Sequence, residues 1–216
     1  MLLLHIILGS LIWSGAVDPT LSQPQPEPLP QRGRREAEDY IKLLETERRI
    51  ESLQVDRVIE ALSIKPGAKV ADLGSGSGLF TRPMAKRAGQ AGRVYAVDID
   101  PKLLDHVART SAAAGLTNVT TVLGEFADPK VPEKVELLTI IDTLHHIERP
   151  QDYVKGLRKY LRRNGRVAII DFTKWPAGHE SMVYQLAELD KWMTEAGFKR
   201  AGQFDFLEGS FFVIYK

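Results

Sequence analysis

Between residues 69 and 172 the sequence alternates short runs rich in β-branched residues with segments of helical spacing. The runs are KVADL (69–73), RVYAVDI (93–99), VTTVLG (119–124), VELLTIID (135–142) and GRVAIIDF (165–172). Consecutive strands that are joined by helices pair in parallel, because each helix returns the chain to the side of the sheet where the next strand starts. The alternation therefore predicts a doubly wound α/β fold built on a mostly parallel sheet.

The end of the chain departs from this alternation. The segments FKRAGQFDF (198–206) and GSFFVIYK (209–216) are separated by a short Leu-Glu-Gly turn. Two strands joined by so short a connection pair antiparallel. We therefore expect a seven-stranded sheet that ends in an antiparallel C-terminal hairpin.

Helix boundaries are marked by proline and glycine. Pro101 and Pro150 stand where a first helical turn begins, and Asp100 directly before the first of them is a candidate helix cap. Glycines that allow a left-handed residue after the last helical turn occur at positions 89, 115 and 197. These residues set the predicted ends of the helices.

The chain divides by composition into a leader (1–17), a Pro/Gln/Arg-rich linker (18–35) and a globular domain (36–216). Within the domain, residues 36–63 have helical spacing with a break near the middle, and they precede the first strand. An amphipathic segment in that place can close over the ligand crevice of the sheet. We expect these residues to form a helical lid, followed by a ligand-binding core (64–173) and a C-terminal helix and hairpin (174–216).

The loop after the first predicted strand carries three glycines at alternate positions, Gly74, Gly76 and Gly78. In a doubly wound sheet this loop faces the ligand crevice, and glycine lets the backbone approach a bound group closely. A nicotinamide-binding loop has the pattern G-x-G-x-x-G, but Leu79 stands where the third glycine is needed. The pattern from Asp72 to Gly78 is instead D-x-G-x-G-x-G. The alternative interpretation is a structural turn without a ligand.

Asp98 ends the second predicted strand, twenty residues after the last of these glycines. An acid at this distance accepts hydrogen bonds from ribose hydroxyls in nucleoside-binding folds. Helix capping is the other role open to an acid here, but Asp100 is the better cap because it immediately precedes Pro101. We therefore predict that Asp98 is a ribose ligand.

With these two motifs in register, the sequence resembles the class I S-adenosylmethionine-dependent methyltransferases, which implies a Rossmann-like methyltransferase fold. Two further segments are similar to the family: GEFADP after the third strand and IIDTLHHIERP after the fourth, the latter resembling the branch of the ubiquinone and menaquinone C-methyltransferases. The resemblance implies S-adenosylmethionine as cofactor, with Asp72 accepting from its ammonium group directly or through water. The implied cofactor-binding residues are Asp72, Gly74, Ser75, Gly76, Gly78, Asp98, Ile99, Glu125, Phe126 and Asp142.

Within that set, the resemblance implies that Glu125 accepts a hydrogen bond from the adenine amino group and that Phe126 packs against the adenine ring. Glu125 departs from the aspartate that is common in the family. A solvated acid and a core aromatic are the structural alternative for this pair.

Candidate catalytic residues follow the fourth strand, where the transferred methyl group is expected: Asp142, His145 and His146. A base is needed only if the acceptor must lose a proton. The alternative for the two histidines is that one packs and the other is solvated. No H-x-x-x-H spacing accompanies them, so we predict no metal site.

The composition of the chain limits the classes of molecule that it is expected to bind. The chain has no cysteine, which excludes thiolate chemistry and disulfides, and its formal net charge of +1 provides no field that would recruit nucleic acid. We expect a small-molecule or lipid-like acceptor and no nucleic acid. Two other functions are considered. One is a module that binds S-adenosylmethionine without turnover. The other is a nicotinamide-dependent oxidoreductase, which Leu79 makes less favoured.

The leader MLLLHIILGSLIWSGAV has no lysine or arginine, whereas Arg32, Arg34 and Arg35 follow it closely. Positive flanks stay in the cytoplasm, so this asymmetry favours an uncleaved membrane tether through residues 1–17 with the domain facing the cytoplasm. The apolar run is short for a membrane span, and Ser14-Gly15-Ala16 resembles a signal-peptidase site. Export to the periplasm after cleavage is the alternative.

Overall fold

A computed structural model describes residues 34–173 and 184–216. Its centre is a seven-stranded sheet with the strand order β3-β2-β1-β4-β5-β7-β6. Strands β1 to β5 are parallel, and β7 runs antiparallel between β5 and β6. The strands are β1 (Lys69–Leu73), β2 (Arg93–Asp98), β3 (Val119–Leu123), β4 (Val135–Ile141), β5 (Leu161–Phe172), β6 (Arg200–Phe204) and β7 (Ser210–Tyr215). The predicted fold class, a doubly wound sheet with an antiparallel C-terminal hairpin, is confirmed.

Helices cover both faces of the sheet. They are α1 (Arg34–Leu44), α2 (Glu47–Leu53), α3 (Val55–Ala61), α4 (Thr81–Ala88), α5 (Pro101–Ala113), α6 (Pro150–Gly156) and α7 (Leu186–Glu195), with single 3-10 turns at Leu144–His146 and Leu157–Tyr160. Asp100 caps α5 as predicted, because its side chain accepts from the backbone N–H of Lys102 at 2.8 Å. The glycines at the predicted helix ends, 89, 115 and 197, have positive φ.

The segment before β1 is broken twice. α1 ends at Leu44, and α2 and α3 are separated by Gln54, whose φ of 43° interrupts regular helix geometry. α1 begins at Arg34, inside the stretch that the sequence predicted as linker. The leader, nearly all of the linker and residues 174–183 lie outside the described residues, so the predictions made for them stay predictions.

The fifth strand is longer than the sequence predicted. It begins at Leu161, which pairs with Val135, and the register then shifts so that Arg166 pairs with Leu137. Residues 162–165 therefore form an irregular stretch opposite a single residue. The prediction began at Gly165 because the β-branched run begins only there.

Apolar side chains alternate between the two faces of the central strands. In β4, Leu138 and Ile140 pack with α6 and α7, whereas Leu137 and Ile141 pack on the other face with α3 and α4. All four are buried. Burial on both faces explains why the strands are continuous apolar runs, as parallel sheets require.

Asp72 is a carboxylate inside this core. Its Oδ2 accepts from the Thr81 hydroxyl at 2.6 Å, and its Oδ1 accepts from the Thr139 hydroxyl at 2.9 Å. The carboxylate thus connects β1 to α4 and β4 and is 3% exposed. This arrangement gives Asp72 a structural role, and its predicted contact with a ligand ammonium group stays a prediction.

Residues 34–173 and 184–216 contain neither a candidate membrane span nor a candidate metal cluster. None of the helices there is long and apolar enough to cross a membrane. The same part of the chain contains no group of three or more side chains suited to hold a metal ion.

We predict that Asp72 makes stability depend on pH. Burial raises its pKa from 3.8 to about 6, although hydrogen bonds from Thr81 and Thr139 oppose the rise. The folded chain therefore binds this proton more tightly than the unfolded chain, so the free energy of unfolding falls as pH rises between the two pKa values. The expected loss is up to about 3 kcal/mol.

Guanidinium unfolding from about pH 4 to pH 8 checks this prediction. Asp72→Asn should lack that part of the pH dependence, whereas Asp105→Asn, on the exposed face of α5, should keep it. Parallel curves for wild type and Asp72→Asn would contradict the assignment.

Candidate active site

Four aspartates lie near the carboxyl ends of neighbouring parallel strands. Asp72 is in β1, Asp98 ends β2, Asp142 directly follows β4 and Asp171 is near the end of β5. The strands are in register, with Leu73 beside Val97 and Ile140. The carboxyl ends of parallel strands meet at one edge of a sheet, which is where α/β proteins bind ligands.

The glycine loop, residues 74–78, follows β1 at this edge. Gly74, Gly76 and Gly78 all have positive φ, at 73°, 54° and 80°. A Cβ atom on Gly74 would lie 2.2 Å from Cγ2 of Thr143, which follows β4. One on Gly78 would lie 3.0 Å from the Val107 side chain of α5. Packing within the protein therefore excludes a side chain at Gly74 and crowds one at Gly78.

A Cβ atom on Gly76 would meet the Leu44 side chain of α1, at 3.0 Å. The backbone N–H of Gly76 donates to Asp98 Oδ2 at 2.9 Å. The other oxygen of Asp98 accepts from the backbone N–H of Asp100 at 3.1 Å. Burial raises the pKa of Asp98, and these backbone donors offset part of the rise. Each carboxylate oxygen can accept a second hydrogen bond, so Asp98 retains acceptor capacity for a ligand.

An apolar surface lies beside Asp98. Ile99 is 44% exposed and Phe126, in the loop after β3, is 55% exposed. The backbone N–H of Gly124 donates to Asp98 O at 2.9 Å, which holds this loop against the end of β2. The Glu125 carboxylate forms an exposed ion pair with Lys130 at 3.2 Å. Exposed apolar residues beside Asp98 could pack against the adenine ring of a nucleoside whose ribose binds this acid. The adenine contacts of Glu125 and Phe126 stay predictions.

Asp142 has a left-handed backbone, with φ 48°, and its side chain is only 5% exposed. It forms an ion pair with Arg49 of α2, with 2.7 Å between Oδ2 and Nη2. Burial raises the pKa of Asp142, and the guanidinium charge opposes the rise. A strained residue with a buried charge at a strand end is typical of functional sites.

His145 is held by a residue that the sequence analysis did not select. Its Nδ1 lies 2.7 Å from Asp171 Oδ1, and both side chains are nearly inaccessible. The Tyr184 hydroxyl donates to Asp171 Oδ2 at 2.8 Å. An ionised carboxylate only accepts, so Nδ1 of His145 carries the hydrogen. His146 is exposed, and its ring centroid lies 4.0 Å from that of His145.

Arg49, Asp171 and Tyr184 are the site residues that sequence reasoning missed. Asp171 ends an apolar run, IID, in the same way that Asp142 does, and this repeated pattern was the available signal. Arg49 is one of several charged residues in α2, and Tyr184 lies outside every motif. Only the tertiary structure brings these two side chains to the strand ends.

The predicted lid contacts the glycine loop and the strand ends. Besides Leu44 against Gly76 and Arg49 against Asp142, Glu45 forms an ion pair with Arg82 at 2.6 Å. Arg82 also donates to the carbonyl of Ser77 at 2.8 Å. The α1–α2 segment therefore contacts the glycine loop, the end of β4 and α4 through one apolar and two ionic contacts, and its role as a lid stays a prediction.

Several buried polar atoms at this edge have no hydrogen-bond partner. They include Ser75 Oγ in the glycine loop, Oδ1 of Asp142 and Nε of Arg49. Buried polar groups are nearly always satisfied, so such a cluster indicates a polar ligand. With acceptors at Asp98 and Asp142 and apolar surface at Ile99 and Phe126, the residues fit a nucleoside that carries a charged amino-acid group.

The sheet order, the glycine loop and the acid that ends β2 define the class I S-adenosylmethionine-dependent methyltransferase fold. Residues 64–205 match the family model described as a methyltransferase domain, and the chain belongs to this family. The predicted class, and with it S-adenosylmethionine as the cofactor of the class, is confirmed.

One similar curated protein is the ubiquinone/menaquinone biosynthesis C-methyltransferase UbiE of Paraburkholderia phymatum, 25% identical over 154 residues, or 70% of this chain and 63% of the relative. The chain spans less than two thirds of the length of the curated relatives it first matches. A SAM-dependent methyltransferase from Aquifex aeolicus has a similar structure, with a TM-score of 0.73 and 24% identity over 82% of this chain and 96% of that one.

A second solved structure is magnesium protoporphyrin IX methyltransferase (ChlM) from Synechocystis PCC 6803 with bound SAM, with a TM-score of 0.61 and 20% identity. The alignment covers 83% of this chain and 82% of that one. At these identities the two solved structures support the fold.

We predict that Asp98→Asn weakens binding of S-adenosylmethionine by roughly 1–3 kcal/mol, because the ribose hydroxyls lose a charged acceptor. The amide oxygen keeps one acceptor for the backbone donors, so the loop should stay folded. Titration calorimetry measures the effect. Asp105→Asn, which makes the same change of charge on an exposed helix face, is the control. Wild-type affinity in Asp98→Asn would remove Asp98 from the site.

Proposed function

We propose that this protein transfers the methyl group of S-adenosylmethionine to a small-molecule or lipid-like acceptor. The observation that carries the proposal is the contact of the glycine loop with Asp98, made by the Gly76 N–H at 2.9 Å within a methyltransferase domain. The loop and the acid are the parts of the sheet edge that a nucleoside needs, and they contact each other directly.

The residues proposed to hold the cofactor each contact a different part of it. Asp98 would accept from the ribose hydroxyls, and Ile99 and Phe126 would contact the adenine ring. The backbone at Gly74 and Gly76 would allow the amino-acid portion to lie close. Ser75 Oγ, which is buried without a partner, is a further donor at the same loop.

When bound, the cofactor supplies a sulfonium methyl group that is already activated for transfer. The protein therefore needs no nucleophilic side chain, and its contribution is orientation and exclusion of water. The α1–α2 lid serves both purposes, because Leu44 covers Gly76 and Arg49 contacts Asp142.

His145 is the proposed proton acceptor if the acceptor molecule must lose a proton. Asp171 fixes the hydrogen on Nδ1, which leaves Nε2 as the nitrogen that can bind a further proton. Asp142 is the second candidate, since burial raises its pKa toward the range useful for proton transfer. His146, exposed beside His145, is the third.

A lipid-like acceptor is supported by two observations. The named bacterial relative is a C-methyltransferase of ubiquinone and menaquinone biosynthesis. The apolar leader is a candidate tether that would bring the domain to a membrane, where such acceptors dissolve.

The test is transfer of a labelled methyl group from S-adenosylmethionine to cell extract, which is then separated into lipid, small-molecule and protein fractions. We expect label in the lipid or small-molecule fraction. Binding of the cofactor without any labelled product would show a non-catalytic binding module instead.

If a proton must leave the acceptor, His145→Ala should bind the cofactor normally but lose roughly two to four orders of magnitude in turnover, the range for positioned proton transfer. His146→Ala is the neighbouring comparison, and Asp142→Asn tests the second candidate. Full turnover in all three variants would mean that no base is used and that the two histidines are structural.

We further propose that residues 1–17 tether the protein to the membrane with the domain in the cytoplasm, because the arginines follow the apolar run and do not precede it. Protease should then leave the domain intact in spheroplasts and digest it only after lysis. A mature chain that begins at Val17, or a domain digested from outside, would support export instead.

A further inference from the structure

A cleft lined by cationic side chains lies at the start of β5, on the edge of the sheet opposite to the candidate active site. Leu161, the first residue of β5, pairs with Val135, the first residue of β4, so the cleft is at the amino ends of the parallel strands. Its volume is about 430 Å³, which is enough for a small ligand. The polar lining consists of Arg158, Arg162, Arg163, Asn164 and Lys216, and no acidic side chain of the described residues contributes to it.

The sequence around this cleft concentrates positive charge. Residues 158–166 read RKYLRRNGR, with five lysine or arginine residues and no acid, in a chain whose formal net charge is only +1. The irregular start of β5 presents Arg162, Arg163 and Asn164 to solvent, since all three are exposed. The register shift therefore places polar side chains on the surface at a point where a regular strand would turn every second one toward the core.

Arg158 is fixed in the wall of the cleft without a carboxylate partner. Its Nε donates to the carbonyl of Ala196 at 3.1 Å, and its Nη2 donates to the carbonyl of Gly197, just after α7. The guanidinium carbon lies 4.4 Å from the centroid of the Phe198 ring. Carbonyls at a helix end carry only a partial negative charge, so positive charge remains available to a ligand.

The other cations of the cleft differ in their contacts. Arg162 forms an ion pair with Glu136 at 3.0 Å and donates to the carbonyl of Lys134 at 3.1 Å. The side chains of Arg163 and Lys216 have neither an ion pair nor a hydrogen bond to any described residue. The cleft therefore contains two cations that no carboxylate of the described chain neutralises, next to one that is paired.

An anion with several acceptor oxygens fits this set of side chains. Guanidinium groups bind phosphate oxygens through parallel N–H donors, and a cleft lined by one sign of charge strengthens the field inside it. The amide of Asn164 can donate to the same oxygens. Phe198, the aromatic residue of the lining, is 1% exposed and lies under Arg158, so it offers no face on which a nucleobase could stack. The cleft therefore suits a phosphate group better than a base.

We propose that this cleft is a binding site for a phosphate-bearing anion, which Arg158, Arg163 and Lys216 would hold. The phosphate belongs either to a soluble compound or to the headgroup of an anionic lipid, and the two share the same chemistry. Because the cleft and the cofactor site lie at opposite edges of the sheet, the anion would bind without displacing the cofactor. The competing interpretation is that Arg158 only caps α7 and that the other cations are solvated.

Titration calorimetry of the 216-residue chain with inorganic pyrophosphate tests the site. We expect binding, and Arg163→Gln should weaken it roughly 3- to 30-fold, the range between an exposed ion pair and a charged hydrogen bond. The variant should fold normally, because this side chain has no partner among the described residues. Arg87→Gln is the matched control: it removes the same charge from the exposed last turn of α4, outside the cleft, and should leave the affinity unchanged.

Vesicles distinguish the two sources of phosphate. Wild type and Arg163→Gln are sedimented with phosphatidylcholine vesicles prepared with and without phosphatidylglycerol. Additional binding to the phosphatidylglycerol vesicles that Arg163→Gln loses would identify a lipid headgroup, whereas pyrophosphate binding without it would identify a soluble phosphate compound. The comparison with neutral vesicles removes any contribution from the apolar leader.

Two results would overturn the proposal. One is that the chain binds neither pyrophosphate nor the anionic vesicles, or that Arg163→Gln weakens binding no more than Arg87→Gln does, which would mean solvated cations. The other is that saturating S-adenosylhomocysteine displaces pyrophosphate, which would move the anion to the glycine loop. An unchanged pyrophosphate affinity in the presence of S-adenosylhomocysteine is the expected result.

Discussion

The carboxyl edge of the sheet brings four aspartates close together, and each carboxylate must be stabilised where water is largely excluded. The protein uses a different partner for each one. Asp72 has threonine hydroxyls, Asp98 has backbone N–H groups, Asp142 has a guanidinium and Asp171 has His145 and Tyr184. Those partners come from the lid, the glycine loop, α4 and β4, so the elements around the site are held in place by its charges.

These carboxylates differ in how many hydrogen bonds they accept from the protein. Asp72 and Asp171 are fully buried and accept several well-formed hydrogen bonds, which is typical of fixed internal connections. Asp98 is partly exposed, and Oδ1 of Asp142 has no hydrogen-bond partner. The second pair can therefore gain contacts from a ligand, whereas the first pair is already bonded to groups of the protein.

Much of the fold was predictable, because the β-branched runs and the glycine and proline boundaries are local signals. The Asp98 position was also predictable, since it depends on the spacing of one strand-loop-helix-strand unit. The surroundings of Asp72 were not, because Thr139 comes from another strand and meets it only through sheet register. Arg49 could not be selected for the same reason: the break between α1 and α2, together with their packing over the loop, brings it to Asp142.

The central claim is that this sheet edge binds S-adenosylmethionine, and a crystal structure with S-adenosylhomocysteine tests it most directly. The account predicts ribose hydroxyls on Asp98, the adenine ring against Ile99 and Phe126, and the amino-acid portion beside the glycine loop. A ligand bound elsewhere, or one that leaves Asp98 with only its present backbone donors, would contradict it.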